Sequence, residues 1–261
     1  MNRGIDAPNA QTRAQLDRIL REAGVRREFA PAVEAEVERF VANPGIDDAR
    51  LVDLTDLPFV TIDETHSRDL DQALHIQRTG AGFRVDYALA DAAFAVRPDT
   101  ALFDESLKRG ASFYLPGFSV PMLPRALSEG LVSLNPKVDR RALVVRTELD
   151  ATGMPTQSTL FRARVRSRDK LDYGAVDRWL AGDDDTFDAA DYADSLRLLK
   201  TVGELRMQDL VERDVVQYHR RSTEVVVNAA GDLEIAPAAR RRVDRYNEQI
   251  SLLCNIEGAR F

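Results

Sequence analysis

Cysteine and histidine are scarce in this sequence. A single cysteine excludes an internal disulfide and a zinc site built from several thiolates, and three scattered histidines do not form a zinc site. These residues are Cys254, His66, His75 and His219. The longest mostly apolar run, ALADAAFAV, is interrupted by Asp91. A membrane-spanning helix needs about 20 apolar residues, so no membrane span is predicted.

The sequence also lacks a basic overall balance. Its net charge is −7 and its pI is near 5.2. Bulk charge therefore does not indicate a nucleic-acid-binding protein, although a basic channel can exist on an acidic body. Residues 1–15 contain no apolar segment like that of a secretory signal, so we expect a cytoplasmic protein. Its 261 residues, 44% of them hydrophobic, suit one large or two small globular domains.

Apolar residues at helical spacing predict two helices near the N-terminus, over residues 10–24 and 29–43. Residues 1–52 are therefore predicted to form a small helical module. A helix-turn-helix is one interpretation of this module, but short helices are more often a plain cap.

The remainder, residues 53–261, mixes strands and helices. A strand is predicted over 58–63, and hairpins, helices and a Pro-rich loop follow it. The hairpins are predicted over 73–90, 141–167 and 223–237, and the helices over 99–109, 172–182, 189–218 and 237–259. The loop is predicted over 114–130 as an extended segment that leads into a short helix. Because βαβ units do not alternate regularly, we predict an α+β fold with a mixed antiparallel sheet and surrounding helices.

The stretch TIDETHSRDLDQAL, residues 61–74, concentrates carboxylates after the first predicted strand. Asp63, Asp69 and Asp71 could converge there, with Gln72 beside them. Like charges repel unless a cation neutralises them, and oxygen ligands of this kind suit Mg²⁺ or Mn²⁺. The alternative is that these aspartates cap turns and face water, as aspartate often does. On this stretch alone, both interpretations stay open.

A second pattern is the segment FRARVRSRDK, which places an arginine at every second position. In a strand these arginines point to one face, where they could follow a phosphate backbone. They could equally form a solvated face paired with nearby acids. The four residues are Arg162, Arg164, Arg166 and Arg168.

Several long stretches together resemble the catalytic RNB domain of the ribonuclease II/R family of exoribonucleases. They include VTIDETHSRDLDQAL, YLPGFSVPMLPRALSEG, FRARVRSRDKLDYGAV and YNEQISLLCNIEGARF, and they follow the family's order from about residue 55 to residue 261. The resemblance implies an RNB-like catalytic domain over residues 53–261. It also implies a Mg²⁺-dependent, processive 3′→5′ hydrolase of single-stranded RNA that releases nucleoside 5′-monophosphates.

The resemblance also implies roles for individual residues. In the family's metal pattern, D-x5-D-x-D-D, the first three places are filled by Asp63, Asp69 and Asp71. Tyr114 matches an aromatic residue that packs against a base of bound RNA, and Tyr173 matches another near the RNA 3′ end. We call residues 161–168, which carry the four arginines, the arginine strand. Contact between RNA and this strand is inferred from the spacing of the arginines alone.

The sequence departs from the family pattern in three ways. Gln72 stands where the fourth acid is expected, and its neutral amide can ligate Mg²⁺ but adds no charge. The chain ends at Phe261, before the arginine that contacts the scissile phosphate and a later glutamate. Three alternatives stay open: the sequence is a fragment of a longer protein, or a second chain is the partner that supplies the remaining C-terminal part of the catalytic domain, or the chain is not competent alone. Third, cold-shock-like β-barrels usually precede the catalytic domain, whereas this N-terminus is predicted to be helical.

Three hypotheses follow. The first is an exoribonuclease, expected to be a monomer with single-stranded RNA as its partner. The second is a catalytically weak or inactive RNA-binding module on a degenerate RNB domain, which Gln72 and the early end of the chain suggest. The third is an acidic globular protein without a nucleic-acid role.

Overall fold

The structure is a computed structural model that describes residues 7–215, 223–238 and 240–261. Within these ranges the chain forms two compact units. We call residues 7–44, 92–131 and 223–238 the helical unit, and residues 45–91, 132–215 and 240–261 the sheet unit. His219 and the end of the helix predicted over 189–218 lie outside the described residues.

The strands and helices are numbered in chain order. The strands are β1 (Val52–Asp53), β2 (Phe59–Asp63), β3 (Gln72–Thr79), β4 (Gly82–Ala90), β5 (Phe113–Leu115), β6 (Phe118–Val120), β7 (Asp139–Leu149), β8 (Pro155–Asp172), β9 (Thr223–Val227) and β10 (Leu233–Pro237). The helices are α1 (Ala10–Glu22), α2 (Pro31–Ala42), α3 (Ala101–Arg109), α4 (Tyr173–Ala181), α5 (Ala193–Glu212) and α6 (Arg242–Gly258).

The sheet unit is built on a six-stranded sheet in the order β1-β8-β2-β3-β4-β7. Strand β7 also pairs with β8, so β8, β2, β3, β4 and β7 form a closed ring of pairings. The long β8 makes this possible, because residues 155–166 pair with β7 and residues 167–172 pair with β2. Strands β1 and β2 run parallel to β8, and the other pairs are antiparallel. The predicted α+β fold with a mixed sheet is confirmed.

The two faces of this sheet contribute to different cores. One face contributes four alanines that are almost completely buried, Ala73, Ala88, Ala142 and Ala163, together with larger residues such as Phe59 and Val165. The other face packs against α4, α5 and α6. Helices α5 and α6 approach closely at Gly203, where an added Cβ would lie 2.7 Å from the Tyr246 side chain. Apolar burial on this helix-covered face provides the main core of the unit.

The helical unit has a smaller core of its own. Val33 and Val37 of α2 pack with Leu102 of α3 and with Leu123 and Leu127. The unit therefore joins the predicted N-terminal helices to residues 92–131, and the predicted boundary at residue 52 stays a prediction. Residues 23–30 separate α1 from α2, which is longer than the three- or four-residue turn of a helix-turn-helix.

Two sequence predictions differ from the structure in detail. The segment predicted as an extended loop contains the hairpin β5–β6. The short helix predicted at the end of this loop corresponds to a π-helical turn at Ala126–Leu131. The last helix begins at Arg242, because the residues up to Pro237 belong to β10. No helix within the described residues is long and apolar enough to cross a membrane.

Candidate active site

The acidic stretch lies at the end of β2 and in the loop that joins β2 to β3, and we call residues 63–71 the acidic loop. Asp63 is the last residue of β2, and its Oδ1 accepts hydrogen bonds from the Glu64 N–H at 2.7 Å and the Ser67 Oγ at 2.8 Å. Lys170 donates from Nζ to the carbonyl oxygens of Thr65 and Ser67. The first half of the loop is thus closed around Asp63 and tied to β8.

The second half of the loop is held by Ser133, whose side chain is completely buried. Its Oγ accepts from the Leu70 N–H and donates to the Arg68 carbonyl, each at 2.9 Å. The Leu134 N–H donates to the Leu70 carbonyl at 2.8 Å. These contacts fix the backbone on both sides of Asp69, and nothing in the sequence spacing indicated the role of Ser133.

The carboxyl of Asp71 is affected by the charges of the other two aspartates. Asp71 keeps a solvent-exposed face, but the protein packed around it, and then the charges of Asp69 and Asp63, raise the pKa of its carboxyl. A cation would relieve this repulsion. However, no three His, Cys, Asp or Glu side chains of the described ranges are arranged so that they could hold one metal ion. Convergence of the carboxylates on one cation therefore stays a prediction.

Gln72, predicted to be a fourth ligand, has a different partner in the structure. Its Oε1 accepts a hydrogen bond from the Tyr87 hydroxyl. Tyr87 is a member of the buried core of the sheet unit. The amide oxygen of Gln72 is thus engaged by a core residue, and its second lone pair is left for a cation.

Tyr173 lies next to the acidic loop because of the pairing between β2 and β8. The parallel register places Asp63 opposite Asp172, and Tyr173 follows as the first residue of α4. Burial and the nearby charge of Asp63 raise the pKa of Tyr173 to about 12. The Tyr173 hydroxyl accepts from Asn247 Nδ2 at 2.9 Å. The structure thus brings together Tyr173 and the acidic loop, whereas contact of Tyr173 with RNA stays a prediction.

Asp172 begins α4 and adds a further carboxylate near the loop. Its side chain accepts from the Ala175 N–H at 3.1 Å and from the Thr65 Oγ1 at 2.6 Å. Burial alone would raise the pKa of Asp172, but the hydrogen bond from Thr65 and those from the first turn of α4 outweigh it and lower the pKa. The sequence interpretation missed Asp172, which the N-cap signal before α4 could have indicated.

A cationic side chain also reaches this loop. Arg241 Nη1 lies 3.0 Å from Glu64 Oε1, and the guanidinium is partly buried. Arg241 precedes α6, whose start is capped by Asp244 through a 2.7 Å hydrogen bond from the Arg241 N–H. Arg241 therefore gives the acidic loop a fixed positive neighbour, which spacing in the sequence did not indicate.

Tyr114 belongs to the helical unit, where it lies on β5. Its side chain is 69% exposed, as a residue that stacks on a ligand base would be. The exposure is compatible with RNA contact, which stays a prediction.

The arginine strand has the predicted geometry. Along β8, Ala163, Val165 and Ser167 are buried, whereas the arginines between them point outward. Each arginine forms an ion pair with a carboxylate: Arg162 with Asp91 at 3.3 Å, Arg164 with Asp53, Arg166 with Asp139 at 2.6 Å, and Arg168 with Asp191 at 3.0 Å. This is the arrangement that the acid-paired interpretation anticipated. Contact of these arginines with RNA stays a prediction.

Comparison with known proteins identifies the family of this chain and several of its relatives. The RNB domain profile matches residues 51–261, so this chain belongs to the RNB-domain family. It is 34% identical to Ribonuclease R of Escherichia coli over 97% of this chain and 32% of that protein. It is 35% identical to Ribonuclease R of Vibrio cholerae over 86% of this chain and 28% of that protein.

A solved structure agrees with these relatives. RNase R of Mycoplasma genitalium, in complex with ribose methylated single-stranded RNA, superposes with a TM-score of 0.85 and 27% identity, over 95% of this chain and 39% of that one. The chain thus spans about a third of the length of the curated relatives it matches. Since the Escherichia coli match covers 97% of this chain, most of the helical N-terminal segment is shared with that relative.

Proposed function

We propose that this chain is part of a hydrolytic 3′→5′ exoribonuclease that acts on single-stranded RNA and releases nucleoside 5′-monophosphates. The proposal is supported by membership of the RNB-domain family and by the relatives named Ribonuclease R. The observation that carries it is the acidic stretch at the end of β2, where the β2–β8 register places Asp63 opposite Asp172 and next to Tyr173 at the start of α4. The RNA in the Mycoplasma genitalium complex supports single-stranded RNA as the ligand.

The donor chemistry of the acidic loop fits a divalent cation. Carboxylate oxygens are the ligands that Mg²⁺ prefers, and Asp63, Asp69 and Asp71 are the residues that would hold it, with Mn²⁺ as a substitute. When bound, such an ion supplies Lewis-acid stabilisation of phosphate oxygens and activates water. Gln72 is the weakest candidate ligand, because its amide oxygen already accepts from Tyr87.

The chain's own residues provide the positioning. Ser133 and Lys170 hold the backbone of the two halves of the acidic loop, so the backbone that carries the carboxylates does not have to be ordered when RNA arrives. Tyr173 presents its ring beside Asp63, with its hydroxyl held by Asn247. Stacking of bases on Tyr114 and Tyr173 would give a grip that does not depend on sequence.

The arginines of β8 contribute less to this proposal. Binding a phosphate would require each guanidinium to exchange a carboxylate that it already contacts. Surface pairs of this kind are weak, so exchange is feasible, but the net positive charge of this face is reduced. The remaining parts of the proposal are a cytoplasmic location, a monomeric state and completion of the catalytic domain by further C-terminal sequence.

A second candidate is an RNA-binding module with little or no catalysis. The observation that favours it is Gln72, whose uncharged amide stands in the place of the fourth acid and accepts from Tyr87. Only three carboxylates are therefore left for the cation, which lowers the expected metal affinity. The two candidates share RNA binding and differ in turnover.

End-labelled single-stranded RNA, incubated with Mg²⁺ and with the chain extended by the C-terminal sequence that completes its catalytic domain, decides between them. The exoribonuclease releases mononucleotides from the 3′ end, and Asp71→Asn abolishes this while leaving RNA affinity within about twofold. Asp194→Asn is the matched control, because it removes one charge from a side chain that is 90% exposed on α5. Binding without turnover supports the second candidate, and the absence of salt-dependent RNA binding contradicts both.

A further inference from the structure

The hairpin β5–β6 presents Tyr114 on one face and Phe118 on the other. The register pairs Phe113 with Val120, Tyr114 with Ser119 and Leu115 with Phe118. Side chains of neighbouring pairs alternate between the two faces of a hairpin. Tyr114 is therefore displayed to solvent from the face opposite to Phe118, and whatever holds Phe118 sets the position of Tyr114.

Phe118 is held by two arginines of the N-terminal helical segment. The Cζ of Arg13, on α1, lies 3.8 Å from the centroid of the Phe118 ring, and the Cζ of Arg27 lies 4.6 Å from it. Cation–π contacts at such distances are stabilising even at partly exposed sites. The ring is thus fixed from a segment distant in sequence but within the same unit.

Asp17 fixes the two arginines themselves. Its Oδ1 forms an ion pair with Arg27 and lies 3.7 Å from the Nε of Arg13. Arg13 and Asp17 are four residues apart on α1, which places them on one face of the helix. A single carboxylate therefore orients both guanidinium groups toward Phe118.

The turn of the hairpin is also in contact with the N-terminal segment. Gly117 has a φ of +81°, and after Pro116 this matches a type II turn. A Cβ at Gly117 would lie 2.5 Å from Pro8 Cδ. The chain before α1 thus passes directly against the turn and leaves no room for a side chain there.

Arg109 extends the same connection at the far end of the hairpin. It donates to the carbonyls of Arg26 and Glu28, at 2.9 and 2.6 Å, and to that of Pro121 at 3.4 Å. Its guanidinium also lies over the Phe29 ring at 3.7 Å. Arg109 therefore joins the link between α1 and α2 to the end of β6.

We infer that the N-terminal helical segment is a brace for the β5–β6 hairpin, with Arg13, Asp17, Arg27 and Phe118 as positioning residues for Tyr114. The inference rests on the proposed function, because it assigns the braced hairpin a role in RNA binding. These positioning residues act through Tyr114 and not by their own contact with RNA. The brace reduces the conformational freedom that Tyr114 would otherwise lose on binding.

Hydrogen exchange tests the brace without RNA. The double variant Arg13→Met and Arg27→Met, which we call the brace variant, keeps long apolar side chains but removes both guanidinium groups. Amides of residues 113–120 should exchange about tenfold faster, because local opening of the hairpin becomes easier. The control, Arg18→Met and Arg21→Met, makes the same charge change on α1 and should leave this exchange unchanged. Equal exchange in wild type and brace variant overturns the inference.

A double-mutant cycle then tests whether the brace acts through Tyr114. In an otherwise wild-type chain, the brace variant should weaken binding of a single-stranded RNA about fivefold. In a Tyr114→Ala background it should have no further effect, since the side chain being positioned is absent. Equal losses in both backgrounds contradict positioning and indicate general destabilisation. If the wild-type chain binds no RNA, the proposed function fails, whereas hydrogen exchange still decides the brace.

Discussion

Replacement of Ser133 by alanine is the perturbation that addresses the acidic loop without touching a carboxylate. The Ser133 Oγ accepts from the Leu70 N–H and donates to the Arg68 carbonyl. Ser133 is completely buried and Leu70 is 2% exposed, so water cannot easily replace the lost partner of the Leu70 N–H. Two lost hydrogen bonds and an unsatisfied buried donor give an expected loss of about 2–3 kcal/mol in the free energy of unfolding.

The loss should extend beyond stability. The two hydrogen bonds fix the backbone on both sides of Asp69, so their removal should loosen the loop that carries Asp69 and Asp71. Ordering this loop would then oppose cation binding. We expect the Mg²⁺ affinity of Ser133→Ala to fall about tenfold, which calorimetric titration can measure at a temperature where the variant is folded.

Ser195→Ala is the matched control. Ser195 is 2% exposed, and its Oγ accepts from the Ile76 N–H at 2.9 Å, so the same kind of contact is lost away from the acidic loop. This variant should lose about 1–2 kcal/mol and keep its Mg²⁺ affinity. A folded Ser133→Ala variant with wild-type Mg²⁺ affinity would refute the reasoning that loop order matters.

Four further predictions follow from individual contacts. Burial lowers the pKa of His75 below 6.5, so the folded chain binds this proton less tightly than the unfolded chain and stability falls as pH drops below 6.5. His75→Gln should reduce the loss of stability between pH 7.5 and 5.5 in melting curves, and an equal loss in wild type and variant contradicts this prediction. Tyr87→Phe keeps the ring but loses the hydrogen bond to Gln72, so chemical denaturation should report about 1 kcal/mol less stability, and no loss would argue against this bond. Arg164→Ala should change RNA affinity less than twofold and leave its salt dependence unchanged. If the slope of the logarithm of the RNA affinity against the logarithm of the salt concentration fell by about one, Arg164 would contact a phosphate. Tyr114→Ala should weaken RNA binding by about 1–3 kcal/mol if a base stacks there, and unchanged affinity in a binding assay would exclude it.

Local patterns in the sequence predicted the elements that place the carboxylates. The strand predicted over 58–63 corresponds to β2, which ends at Asp63. The alternation of arginines predicted the outward face of β8 correctly, since strand periodicity depends only on neighbouring residues. The hairpin of β3 and β4 was likewise predictable from the turn sequence between them.

Contacts between distant segments were not predictable in this way. Ser133 is far in sequence from the loop that it holds, and the acids that pair with the arginines of β8 come from four separate segments. The pairing of Gln72 with Tyr87 depends on which residue of β4 lies near the start of β3, a matter of register. Such contacts are set by tertiary packing, which single-sequence patterns do not encode.

Mg²⁺ titration of the RNA-free chain, followed by calorimetry, tests the central claim most directly. If Asp63, Asp69 and Asp71 bind one cation together, the wild-type chain shows one saturable site. Each of the variants Asp63→Asn, Asp69→Asn and Asp71→Asn then loses most of the affinity, whereas Asp194→Asn keeps it. If the wild-type chain had no saturable Mg²⁺ site, or if each of the three single variants kept the wild-type affinity, the proposed shared cation site would be wrong.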